Sequence, residues 1–202
     1  MPRPVSLQHD KYYHVFNRGN NWENVFFEDR NYRYFLELYA RHVTPIADTY
    51  AYCLLRNHFH FLARVKAAEE LDPGSQNLPG PSRKPSQYFS NLFNAYAKAI
   101  NKAYQRTGAL FQRPFGRIEV TTDAYLAQLV IYIHQNPQKH GFVDDFRTWP
   151  YSSYRTLLSS QPARLQRDDV LAWFQGEYHF EDAHQCEVDA HKIAFLMPGD
   201  YD

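Results

Sequence analysis

Arg56-Asn57-His58-Phe59-His60-Phe61-Leu62 sets two histidines on either side of one phenylalanine inside an apolar run. In an extended strand, residues i and i+2 point to the same face. Read as a strand, the stretch aims His58 and His60 side by side and turns Phe59 and Phe61 the other way, into a core. Two adjacent imidazoles on a rigid strand make half of a divalent-metal site. The remaining ligand and the reactive group must come from elsewhere in the chain.

Working outward, residues 47–55 are rich in Thr, Tyr and Leu, and a tight turn at Arg56-Asn57 joins them to 58–65, so the two pair as a hairpin. Residues 11–17 alternate as a strand that ends in the turn Arg18-Gly19-Asn20. Residues 28–42 carry Tyr32, Phe35, Leu36 and Tyr39 at helical spacing, and Thr44-Pro45 breaks the pattern. Residues 67–86, with three Pro/Gly clusters, read as a surface loop. The clearest helix covers 86–106, with an apolar stripe from Phe89 to Tyr104, a polar face that includes Lys98 and Lys102, and Gly108 closing it. A short strand follows at 117–121. The order β-α-β-β-α-β is the split ferredoxin-like pattern. The expected fold class is α+β: an antiparallel sheet with helices on one face and one added helix at the edge.

That added helix holds the chemical candidate. Leu126, Leu129, Val130 and Ile133 form one stripe, Thr122 or Asp123 can cap the start, and Pro137 is expected to end the helix. Tyr132 and Asn136 stand one turn apart, off the centre of that stripe. If the helix packs beside the histidine strand, Asn136 can give a carbonyl oxygen to the metal and Tyr132 a phenol to the substrate. Tyr125, two turns earlier, is the rival nucleophile. His134 is expected to pack under the helix end, and His140 can approach a phosphate.

Composition sets limits. Aromatic residues make up 17% of the chain, enough for a core and for stacking surfaces that suit unpaired bases. No run of 18 apolar residues exists, so no membrane span is expected, and the first residues lack the apolar core of a signal peptide. Two distant cysteines, Cys53 and Cys186, fit a reducing cytoplasm rather than a disulfide framework. The net charge of zero hides an asymmetry. Residues 167–202 hold 9 acidic and 2 basic residues, which leaves 20 basic against 13 acidic residues in 1–166, a net of +7. Residues 73–118 contain no acidic residue but include Lys98, Lys102, Arg106, Arg113 and Arg117. Such a stretch is an electrostatic footprint for phosphates.

Five blocks, in order, carry a family resemblance: His14-Val15-Phe16-Asn17-Arg18-Gly19-Asn20, Asn57-His58-Phe59-His60, Gly108-Ala109-Leu110-Phe111-Gln112-Arg113-Pro114-Phe115, Tyr132-Ile133-His134-Gln135-Asn136-Pro137 and Trp149-Pro150-Tyr151-Ser152-Ser153-Tyr154. The chain resembles single-tyrosine transposases of the His-hydrophobe-His type, and within them the REP-associated tyrosine transposases, to which the last block points. Two positions depart from the pattern: Pro114 interrupts the run from arginine into aromatics, and Asn136 stands where minimal relatives more often use glutamine. The resemblance covers about residues 11–155, which implies a transposase domain over 1–155 and a peripheral helical extension with an acidic tail over 156–202. It implies cleavage and rejoining of single-stranded or hairpin DNA, with Tyr132 as nucleophile and His58, His60 and Asn136 holding Mg²⁺, for which Mn²⁺ can substitute. Arg18, Lys98, Lys102, Arg113 and Arg117 are the expected DNA contacts. No nucleotide cofactor is needed, because the phosphotyrosine ester conserves the energy of the broken bond. A single acting chain is favoured, with a dimer as the other arrangement. The alternatives are a non-catalytic hairpin-binding protein on the same fold, and a phosphodiesterase in which water attacks.

Overall fold

The computed structural model describes residues 5–71 and 84–186. Four strands, β1 (Lys11–Arg18), β2 (Ala47–Leu54), β3 (His58–Val65) and β4 (Gly116–Val120), form one antiparallel sheet in the order β2-β3-β1-β4. With α1 (Asp29–His42) between β1 and β2, and α2 (Pro85–Ala103) between β3 and β4, the ferredoxin-like α+β arrangement expected from the element order is the observed one. Arg18, expected just past the first strand, is its last residue.

The sheet has two unlike faces. Phe59 and Phe61 lie on one, where Phe59 meets Phe35 and Phe93, and Phe61 stacks on Tyr39 with ring centroids 4.3 Å apart. These partners belong to α1 and α2, so both helices cover this face. The side chains buried from α1 and α2 are mostly aromatic, with Leu38, Leu92 and Ile100 among them, and each aromatic removes a large apolar area from water. The other face carries His14, Phe16, His58 and His60. It is covered by α3 (Asp123–Lys139), whose Tyr132 ring packs against His60 and His14.

The Thr122 hydroxyl accepts from the Tyr125 amide and caps α3, as the sequence suggests. Pro137 does not end the helix. The helix runs through it to Lys139, and the amides of His140 and Phe142 donate to the Asn136 and Pro137 carbonyls. Proline lacks its own N–H and its ring crowds the carbonyl four residues back, but the bonds of the next turn close beyond that gap.

Beyond α3 the chain continues through α4 (Tyr154–Leu157), α5 (Arg167–Trp173) and α6 (Glu177–Ala183). These helices bury Phe174, Phe180 and His184 in the common core. The Pro/Gly-rich part of the expected loop and the acidic tail from residue 187 lie outside the described residues.

Candidate functional site

Strand period brings His58 and His60 together, with ring centroids 5.1 Å apart and rings perpendicular. From α3, the Tyr132 ring stands edge-on to His60 at 5.6 Å. Tyr125 is about 10 Å further along the helix axis, at 1.5 Å per residue. The Asn136 amide faces His58 closely enough to favour its protonated form weakly, although the pair is outside hydrogen-bond geometry. His140, just past the helix end, approaches His58 with centroids 4.9 Å apart.

The polar atoms here share one property. His58 Nε2, His60 Nε2, Asn136 Oδ1, the Tyr132 hydroxyl and His140 Nε2 are all buried without a hydrogen-bond partner. A buried polar atom left unpaired costs ~1–3 kcal/mol, and five in one place is an unusual concentration.

The other atom of each group fixes what the bare one offers. Asn57 Oδ1 can only accept, so His58 Nδ1 donates to it (2.7 Å) and Nε2 is left as a lone pair. His60 Nδ1 meets His14 Nε2 at 2.9 Å. When Nδ1 donates there, His60 Nε2 is also a lone pair. Asn136 Nδ2 donates to the Tyr132 carbonyl at 2.9 Å, which turns Oδ1 away from the helix. Burial pushes His58 down to about 3, and the nearby charges of His140 and Arg18 add to the effect. Burial likewise holds His60 well below the usual imidazole range, with His14, His58, His140 and Arg18 adding to it. Both rings are therefore neutral at pH 7. Two imidazole nitrogens and one amide oxygen, all uncharged, are a donor set that fits a divalent cation. Among the described residues, no three His, Cys, Asp or Glu side chains cluster to hold a metal by themselves.

The expected DNA contacts divide between the two faces. Arg18 pairs in register with His58 and so belongs to the histidine face. Lys98, Arg113 and Arg117 line a groove of about 550 Å³ on the other face, together with Asn17, Phe93 and Phe111. Arg117 is also engaged locally, donating from Nε to the Val5 carbonyl and stacking over Phe115. Lys102 lies on exposed α2 surface beside this groove without lining it. His14, Asn57 and Lys139, whose ammonium stands 5.1 Å over the Tyr132 ring, are site neighbours that the sequence reading did not pick out. His14 could have been found, since β1 neighbours β3 in this topology and its alternate residues share the histidine face.

His134 has a structural place. The Phe180 carbonyl accepts from His184 Nδ1, His184 Nε2 from His134 Nδ1, and His134 Nε2 from the Ser153 hydroxyl. One carbonyl that cannot donate sets the direction of the whole chain of hydrogen bonds, which ties α3 to α6 and to the 149–154 segment.

No protein-family model matches the chain. A protein of Haemophilus influenzae described as a REP-associated tyrosine transposase is 30% identical over 116 residues, which is 56% of this chain and 62% of that relative's length. The solved structure of a REP-associated tyrosine transposase bound to a REP hairpin aligns over 80% of this chain and 88% of its own, with a TM-score of 0.58 and 16% identity. Among the described residues, no helix is long and apolar enough to cross a membrane. The family read from the five ordered blocks is the one both comparisons return, and the chain is similar to REP-associated tyrosine transposases in sequence and in fold.

Proposed function

We propose that this chain is a metal-dependent single-stranded DNA endonuclease and strand transferase acting on hairpin-bearing DNA through a 5′-phosphotyrosine intermediate. The observation that carries the reading is that the side chains packed around His58 and His60 leave two imidazole nitrogens, one amide oxygen and one phenol buried and bare. His58 Nε2, His60 Nε2 and Asn136 Oδ1 would hold Mg²⁺ or Mn²⁺. When bound, the ion would polarise the scissile phosphate and offset charge in the transition state. Because all three ligands are neutral, none of the ion's charge is cancelled before the phosphate arrives. The Tyr132 oxygen attacks phosphorus, the bond to the 3′ oxygen breaks, and the strand leaves with a 3′ hydroxyl that can reverse the step on another end. The Tyr132 ring packs against His60 of its own chain, which supports a single acting chain.

Hairpin DNA with a single-stranded flank, incubated with the protein and Mn²⁺ and then denatured, should give DNA covalently attached to protein. Tyr132→Phe should abolish the adduct. Free cleaved product without an adduct would point to water as the nucleophile. Binding without either would leave a hairpin-binding module.

A further inference from the structure

The turn after β1 holds an exposed tryptophan in a costly conformation. Asn21 and Trp22 both adopt left-handed backbone, with φ of 52° and 62°. For a bulky side chain this is a genuine outlier that the surroundings must enforce. The surroundings do enforce it. The Gly19 amide donates to the Asn57 carbonyl, and Asn20 reaches the Leu110 carbonyl through its amide and the Ala109 carbonyl through its side chain. The result is a Trp22 residue that remains 53% exposed. The Arg18 guanidinium lies over the ring, 4.0 Å from its centroid. In the register of β1 and β3, Arg18 is directly opposite His58. Trp22 is thus one guanidinium away from the paired histidines, and its ring is open to solvent.

We propose that Trp22 is a stacking platform for an unpaired nucleobase next to the scissile phosphate, with Arg18 between ring and site to hold the strand's backbone. The occupant is single-stranded nucleic acid because an exposed indole carrying a guanidinium over one face offers a plane for a base and a cation for its phosphate. A protein partner would have to cover an arginine as well as the indole. The inference rests on the DNA-processing reading and names where the strand lies.

The test uses the full chain in EDTA, so that no cleavage intervenes, with two probes: a blunt DNA hairpin, and the same hairpin with a short single-stranded flank. Wild type should bind the flanked probe more tightly than the blunt one, with quenching of tryptophan emission. Trp22→Leu should lose about tenfold or more in affinity for the flanked probe and keep its affinity for the blunt one. Trp22→Phe should keep most of the flank's contribution while losing the quenching, because the other two tryptophans pack elsewhere, Trp149 on Phe142 and Tyr151 and Trp173 on Tyr12 and Tyr50. Thermal melting of both variants checks that they are folded. Equal affinity of Trp22→Leu and wild type for the flanked probe would overturn the proposal, as would an equal loss on both probes. Failure of wild type to form the covalent adduct would instead overturn the cleavage reading, and leaves this binding comparison intact.

Discussion

His60 keeps one ring nitrogen on His14 and presents the other bare, and that division of labour is where the site is most sensitive. Replacing His14 with Phe removes the acceptor that favours the Nδ1–H tautomer of His60. In metal sites, losing such a partner costs about 10–100-fold in affinity. Mn²⁺ affinity measured calorimetrically without DNA should therefore fall in that range for His14→Phe, and by less for His14→Gln, which keeps an acceptor. No change would separate His14 from the site. At this scale, His58 and His60 were readable from strand period alone. His14 was not singled out, although the expected ferredoxin-like order already sets β1 beside β3 and its alternate residues on the histidine face. Asn136 was readable as one turn from Tyr132, but the bond from its nitrogen to the Tyr132 carbonyl, which frees its oxygen, becomes visible only in three dimensions.

Element boundaries followed the local rules wherever local forces dominate. The Thr122 cap and the apolar stripe of α2 are examples. They failed at Pro137, where a turn of backbone bonds beyond the proline outweighs its missing donor. The turn after β1 is another place where tertiary contact decides. Gly19 has ordinary extended backbone, so its sequence position gives no hint of strain. A Cβ there would run into the Glu23 carbonyl, backbone that cannot step aside. Gly19→Ala is expected to destabilise the fold by about 1–3 kcal/mol, by overpacking rather than by φ. A chemical-denaturation midpoint would register it, and because this turn carries Trp22 next to Arg18, weaker single-strand binding should accompany it.

Across the molecule, the sheet separates the histidine face from the groove lined by Lys98 and Arg113. If DNA spans both, Lys98→Ala and Arg113→Ala should each reduce the slope of log affinity against log salt by roughly one phosphate's worth, without changing which strand is cut. Unaltered slopes would confine the DNA to the histidine face. The C-terminal helices respond to acid. Burial holds His184 down at about 4, the Phe180 carbonyl working against this and the Arg147 charge with it. Its unfolded counterpart titrates near 6.5. Between those values the unfolded chain binds more protons, so stability falls as pH drops through this window. From pH 7 to pH 5 this group alone accounts for about 2 kcal/mol. Denaturation at the two pH values should show a smaller drop for His184→Asn than for wild type. The position of α6 against α3 was not legible in sequence, since it depends on imidazoles about fifty residues apart.

The Trp149–Tyr154 block does more than mark a family. Its Tyr151 carbonyl and Ser153 amide bond the backbone of Leu54 and Tyr52, the Ser153 hydroxyl takes the Tyr52 amide, and the Trp149 indole donates to the Leu54 carbonyl. These bonds lie along the rim of β2, an outermost strand that would otherwise offer a row of unspent donors and acceptors. A strand margin left bare is an invitation to stick to any passing extended chain, including another copy. Here the molecule has sealed that seam with its own backbone, so polymerising strand against strand along β2 would first require peeling the strap away.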